Sequence, residues 1–396
     1  MTRVMHPMQH AIRQPAWTNE MGVSLGPIKQ IVLQPTPFCN LACRYCYLPD
    51  KDNRGHMKPE IAALSLYRVF ESKRSDHDLE LRWHAGEPLV VPADFYRKAN
   101  RLIREITPSN VSLRQTLQTN AVLLDDAWCD VFEELGIEVG VSIDGPAFLH
   151  DAYRHTRNGR PTHAAVMAAC ERLHARGIPF TVIAVLTEAS LDHAQAIHRF
   201  FADLGPTEVG LNLEESDGAH TSVVLGGTDV IQRYADFLAE FRSLCCDGSV
   251  KIREFESMRD AILSGGEERR SITATPAGLL CVDWRGRVSG FSPELQGLRH
   301  PLYDDFIFGH VETQTLDEMF ESHTFRNLTR DISAGVTACR QSCSYFGLCG
   351  GGSPSNKLGE HGSFIGTSTV HCTAHIKLVA DMALIEIEKE LCATST

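Results

Sequence analysis

Three cysteines fall within eight positions, Cys39-Asn-Leu-Ala-Cys43-Arg-Tyr-Cys46. They can converge on one metal centre only if this stretch closes as a tight loop. Soft thiolate donors select zinc, copper(I) or an iron–sulfur cluster. Structural zinc takes four ligands, whereas a cube of four irons held by three cysteines keeps one iron open to a small molecule. The loop follows residues 30–36, a short apolar run ended by prolines. That run reads as a strand, with the cysteines at its carboxyl end, where barrel active sites sit.

From Ile28 onward short apolar runs alternate with helical stretches, the pattern of βα units on a parallel sheet. Further strands are expected over residues 79–84, 112–119, 137–143, 179–186 and 208–213, with helices over 59–73, 93–106 and 162–176. Six such units predict an α/β fold, a partial (β/α)6 barrel over residues 28–215. Residues 1–27 show no clear period and are expected to run over the surface, too short to form a separate peptide-binding domain. Two helices, 228–245 and 253–263, form a bridge within residues 216–270; Cys245 and Cys246 have no ligand spacing and read as packing residues. A cysteine-rich domain over 271–375 and a C-terminal helix over 376–396 complete the chain.

The chain has 396 residues, enough for two domains or one with a large appendix. Lys and Arg number 38 against 50 Asp and Glu, and the net charge of -12 disfavours sequence-independent nucleic-acid binding. No apolar run is long enough to cross a bilayer. Thirteen cysteines without an export signal point to a cytoplasmic protein that binds metal rather than forming disulfides.

Loops at the carboxyl ends of such strands converge on one face. After the second strand come Ala85-Gly86-Glu87-Pro88: Gly86 permits close backbone approach, and Glu87 offers a carboxylate to an ammonium group. After the third, Gln118, Thr119 and Asn120 can both donate and accept hydrogen bonds. After the fourth, Ser142-Ile-Asp144-Gly-Pro precedes His150-Asp-Ala-Tyr-Arg154; a hydroxyl and a guanidinium fork suit a ribose and a carboxylate. Arg157 competes for the arginine role. Adjacent Glu214 and Glu215 follow the sixth strand, so at most one faces inward, either as a substrate clamp or proton acceptor or merely in a solvated acidic loop. Further along, Cys339-x3-Cys343-x5-Cys349-Gly-Gly-Gly-x19-Cys372 makes a closed four-thiol site that suits zinc or a fully ligated [4Fe–4S] cluster.

The loop of Cys39, Cys43 and Cys46 resembles the CxxxCxxC signature of the radical S-adenosylmethionine (SAM) superfamily. The resemblance implies that these cysteines hold a [4Fe–4S] cluster whose open iron chelates SAM, and that Tyr45 lies against the adenine. Gly86 and Glu87 resemble the family's GGEP motif, with Ala85 in place of its first glycine. Ser142, Asp144 and Arg154 resemble the SxDGP…HDxxR stretch of peptide-modifying members. Gly86, Glu87, Gln118, Asn120, Ser142, Asp144 and Arg154 are therefore expected SAM contacts.

The four later cysteines resemble a SPASM extension, which carries auxiliary iron–sulfur clusters, with three residues rather than two between Cys339 and Cys343. A two-cluster extension has further cysteines where this chain has Ser353 and Phe291. One auxiliary [4Fe–4S] cluster is therefore expected, with Cys281 an inert core residue. Anaerobic sulfatase maturases keep a catalytic aspartate beside the cysteine that Phe291 replaces; here Ser292 follows. The segments Cys349–Lys357 and Gly362–Phe364 look most like the cyclophane-forming Grr/Xye/Fxs-type peptide maturases, as does Asn212–Glu215. The implied activity is a carbon–carbon crosslink between an aromatic ring and a side-chain β-carbon of a ribosomal precursor peptide, with a flavodoxin or ferredoxin as electron donor. Glu214, Glu215 or His84 is the expected proton acceptor. A thioether-forming or epimerising maturase, a sulfatase-maturase-like enzyme, and a zinc-stabilised peptide-binding module are the alternatives.

Overall fold

The computed structural model describes residues 17–18, 24–222, 229–245, 248–264 and 269–394. Most of segment 1–27, the expected helix start at Thr228 and the packing role of Cys246 lie outside them.

All six expected strands form: β1 (Ile28–Leu33), β2 (Ser75–Trp83), β3 (Ser112–Thr119), β4 (Ile137–Ser142), β5 (Phe180–Leu186) and β6 (Val209–Leu213). Each pairs in parallel with the next, as connections through helices require. Strand β5 shows why the period was readable: Phe180, Val182, Ala184 and Leu186 alternate into the core. Strand β1 stops at Leu33 rather than at 36, because Pro35 has no amide to continue the ladder.

The outer layer is helical: α1 (Pro59–Glu71), α2 (Ala93–Ile106), α3 (Asp126–Leu135), α4 (Ala147–Tyr153), α5 (His163–Ala175) and α6 (Ala194–Leu204). Helix α2 buries Phe95, Tyr96, Ala99 and Ile103, one face at helical spacing. The Tyr96 ring meets Trp83 of β2 edge-on at 5.2 Å and Trp128 of α3 at 5.4 Å. These contacts fix α2 and α3 against the sheet. Asp125 caps α3 by accepting from the Trp128 amide at 3.1 Å.

The sheet does not end with the sixth strand. Strand β7 (Leu279–Val282) adds in parallel to the free edge of β1, pairing Val32 with Cys281. Strands β8 (Arg287–Gly290) and β9 (Gly309–His310) follow antiparallel, giving nine strands in the order β9-β8-β7-β1-β2-β3-β4-β5-β6. The cysteine-rich segment and the barrel strands thus share one hydrogen-bonded sheet.

Helices α7 (Val230–Leu244) and α8 (Arg253–Leu263) form the bridge. The C-terminal segment contains α9 (His323–Ser342), α10 (Pro354–His361) and α11 (Val379–Thr394). Arg242 of α7 pairs with Glu386 of α11 at 2.9 Å, holding the last helix against the bridge. Among the described residues no helix is long and apolar enough to cross a membrane.

Candidate active site

The three-cysteine loop leaves β1 at its carboxyl end and is sewn to the segment after α4. The Ala42 amide donates to the His155 carbonyl at 2.9 Å, and the Arg44 amide to the Tyr153 carbonyl at 3.0 Å. Arg157 donates to the Cys39 carbonyl at 3.0 Å and to the Lys51 carbonyl at 3.3 Å, so it clamps the loop's backbone. Burial pushes the Cys39 thiol up to about 12 and Cys43 to about 11. A bound metal centre must therefore draw off their protons.

Behind the loop lies a closed polar network. The Tyr45 hydroxyl donates to Asp144, and Arg154 donates to both Asp144 oxygens at 2.9 and 3.0 Å. The Val185 amide adds a bond to Asp144 at 2.9 Å. The Arg154 guanidinium lies 5.3 Å from the centre of the Tyr45 ring, which also stacks on Tyr153 at 5.9 Å. Tyr45 is thus a held aromatic platform. Asp144, expected to contact SAM, is 2% exposed and spent on these four donors, so it orients Tyr45 and Arg154.

The Gly-Glu-Pro turn is built as tightly. Gly86 has φ +67, and a Cβ there would collide with the Thr36 carbonyl, so the backbone can pass this close only as glycine. The Glu87 carboxylate, however, points into the protein and is 1% exposed. It accepts from the Leu89 amide at 2.9 Å, the Thr119 hydroxyl at 2.6 Å and the Asn120 amide at 2.8 Å. Burial, against those three bonds, holds it up at about 7. Glu87 ties the turn to the end of β3.

Asn120 then reaches the loop, donating to Asn40 at 2.8 Å with Cys39 Sγ at 3.7 Å. Gln118 donates to Ser142 at 2.9 Å, so these two expected SAM contacts engage each other. His84 shares a 2.8 Å hydrogen bond with Tyr47, and burial, with Arg82 nearby, brings it down to about 4.

Beyond β6 the two glutamates part company. Glu214 meets His220 Nε2 at 2.9 Å. Glu215 accepts from Asn356 at 2.6 Å and lies 2.9 Å from His371 Nδ1. Burial would raise Glu215, but His371 beside it brings the carboxyl down to about 2. Glu215, His371 and His375 place ligand atoms within 4.8 Å of one another. His375 Nε2 nonetheless accepts from the Leu213 amide at 3.1 Å, which puts its proton on the other nitrogen and leaves no lone pair for a cation.

Two residues that sequence reasoning missed lie nearby. Asp217 accepts from Ser355 at 3.2 Å; Ser355 meets Ser292 at 3.2 Å; and Ser292 donates to Glu294. Burial first, then each other's charge or that of Glu215, pushes both carboxyls upward. The turn after Asp217 packs on the cysteine loop: the Ala219 amide donates to the Tyr47 carbonyl at 2.8 Å. No local signal marks Glu294, because apart from Ser292 the charged groups that act on it, Glu215 and Asp217, come from a distant segment.

The four later cysteines gather where α9 ends. Cys339 lies in its last turn and Cys343 just past it; Cys349 ends a short helix, and Cys372 ends another. Gly350, Gly351 and Gly352 all have positive φ. The Gly351 and Gly352 amides donate toward Cys349. Among the described residues only the Glu215 group brings three such ligand atoms within 4.8 Å. Cys281 packs with Val32 and Leu279 in a small apolar cluster, and Phe291 is buried against Phe325.

Comparison with known proteins agrees with this geometry. Residues 33–201 match the radical SAM superfamily model. The chain is 39% identical to an uncharacterised protein of Synechocystis sp., over 97% of each chain. It is 26% identical to a serine-type anaerobic sulfatase-maturating enzyme of Bacteroides thetaiotaomicron, over 84% of each. Among solved structures, native anSMEcpe with bound AdoMet and Cp18Cys peptide superposes with a TM-score of 0.74 at 22% identity. That match covers 92% of this chain and 98% of the other, and shows the fold.

Proposed function

This chain belongs to the radical SAM superfamily, whose members bind a [4Fe–4S] cluster and SAM, and from that premise we propose that it crosslinks a ribosomal precursor peptide, joining an aromatic ring to a side-chain β-carbon. The observation that carries the reading is one short helix joining the two cysteine sites. In α10, Ser355, Asn356 and Lys357 reach Asp217, Glu215 and Cys339 in turn. A second metal centre so linked to the first active-site face suits a reaction with a second redox event. The peptide in the fold neighbour and the sulfatase-maturating relative support a peptide substrate.

In this reading Cys39, Cys43 and Cys46 hold the SAM-binding cluster, and Cys339, Cys343, Cys349 and Cys372 hold one auxiliary cluster. The second site fits such a group because four thiols gather at the end of α9, with the Gly351 and Gly352 amides directed at Cys349 and the Lys357 side chain 3.3 Å from Cys339 Sγ. Packed Phe291 and the hydrogen-bonded Ser353 occupy positions that a second auxiliary cluster would use, which supports a single one. When bound, the first cluster with SAM supplies a 5′-deoxyadenosyl radical that takes the β-hydrogen, and the second supplies a one-electron acceptor. Tyr45, fixed by Asp144 and Arg154, offers the adenine a flat support. The Gly86 backbone and the Gln118–Ser142 pair line the approach to it. The residues fall into the domains set out above: segment 1–27, barrel 28–215, bridge 216–270, cluster domain 271–375 and helix 376–396.

Bond formation leaves the ring one electron and one proton in excess of aromaticity. The proton acceptor moves from Glu214, Glu215 and His84 to Asp217 and Glu294. Glu215 is held ionised by His371 and has little proton affinity, whereas the Asp217–Glu294 pair holds a proton readily. As pH falls, the pair becomes fully protonated and crosslinking is lost above the ordinary carboxylate range. Asp217→Asn and Glu294→Gln are each expected to slow crosslinking by about 10²–10⁴-fold, the range for losing a general base.

The deciding experiment searches the reading frames beside the gene for a short aromatic-rich peptide and incubates that peptide anaerobically with reconstituted protein, SAM and dithionite. The expected product has lost two hydrogens and resists fragmentation between the joined residues. A hydrazide-reactive aldehyde would instead mark sulfatase-maturase-like oxidation, a consumed thiol a thioether, and solvent deuterium at an α-carbon an epimerase.

A further inference from the structure

Lys357 is 3% exposed, yet among the described residues its ammonium is met only by the Gly335 carbonyl at 3.2 Å and Cys339 Sγ at 3.3 Å. A buried ammonium is costly unless an opposite charge faces it. The Cys339 sulfur is placed to carry that charge. The packing is built to admit the lysine: a Cβ at Gly335 would lie 3.2 Å from Nζ and would collide with the Phe364 carbonyl, so α9 must carry glycine at this point. The neighbouring residues fix the helix that aims it. Asn356 is tied to Glu215, and a Cβ at Gly359 would collide with the Ser216 carbonyl, so α10 lies directly on the loop after β6.

From this geometry we infer that Lys357 is a positioning residue which sets the reduction potential of the auxiliary cluster, through its charge and its N–H···S bond to Cys339. The inference rests on the proposed auxiliary cluster. Reduction adds one negative charge to a cluster, and a fixed cation against a ligand sulfur stabilises that charge more than it stabilises the oxidised form. Hydrogen bonds to ligand sulfurs and net local charge are the usual levers on such potentials. Lys357 thereby makes the cluster a better acceptor for the electron released on rearomatisation. Its partner in sequence, Asn356, joins the same helix to the side of the molecule where that electron arises.

The test is an EPR-monitored potentiometric titration of the anaerobically reconstituted protein, wild type against Lys357→Met and Lys357→Gln. Expected is a reduction equilibrium of the auxiliary cluster at least tenfold less favourable in Lys357→Met, equivalent to about 59 mV for one electron. Lys357→Gln, which keeps a donor but not the charge, should fall between. The SAM-binding cluster should titrate unchanged in all three. An unchanged auxiliary potential in variants that keep their iron overturns the inference. So does loss of that iron from both variants in a protein that remains folded, because Lys357 would then serve assembly. Failure of the underlying reading shows separately, as wild-type protein that binds only the iron of the first cluster.

Discussion

At the scale of single residues, Glu87 tests whether a motif residue touches the ligand or builds its surroundings. Its two oxygens take three inward donors, so Glu87→Gln turns an amide NH2 against one of them. A buried donor left facing a donor costs about 1–3 kcal/mol. Thermal unfolding should show that loss, with weaker SAM binding as its consequence. A variant of unchanged stability that binds SAM poorly would instead restore a direct contact. Ala85, at φ +72 and 2% exposed, shows the reverse case. The sequence marks it only as a departure from a glycine, and the backbone explains why glycine suits a left-handed position. The cysteine ligands were readable because their spacing is local. Asp217, Glu294 and the role of Lys357 were not, since each acquires its meaning from a partner brought in by the fold.

Elements were readable where the hydrophobic period was clean. Helix α2 forms over the expected residues, and the six barrel strands shift only at their ends. Strand β7 escaped because its four residues, Leu279 to Val282, are all buried and show no alternation, and because pairing with β1 is a long-range choice of register. The link between α4 and α5 shows what such assembly requires of one side chain. His150 is fully buried, meets Thr162 at 3.0 Å and accepts from the Asp144 amide at 3.4 Å. Burial, with Arg154 next to it, brings it down to about 4. A histidine that charges more easily unfolded than folded contributes stability that is complete above about pH 6.5 and lost as pH falls towards 4. The contribution is about 3 kcal/mol. His150→Gln should therefore flatten the dependence of the melting temperature on pH between 4 and 7. An equally steep profile in the variant would assign acid sensitivity to other groups.

Across the whole molecule, one sheet joins both cysteine sites, and this bears on whether they can be separated by mutation. The loop of Cys39, Cys43 and Cys46 is held by β1, the segment after α4, and Arg157, none of which depends on Cys349. The four-cysteine site is anchored by α9, the glycine run and α10. Loss of one ligand there should damage one cluster and spare the other. Reconstituted wild-type protein should carry about eight irons in two cubane clusters, and Cys349→Ala about four. With dithionite the variant should still convert SAM to 5′-deoxyadenosine, because Tyr45, Asp144 and Arg154 are untouched. It should give little or no crosslinked peptide. Removing a ligand can also unfold the region around a metal, and the shared strands β7 and β1 would pass such damage to the barrel. A circular-dichroism melt on the same sample separates the two causes, since collapse would remove SAM cleavage as well. A folded Cys349→Ala protein that crosslinks at the wild-type rate would show that the second site takes no electron from the substrate.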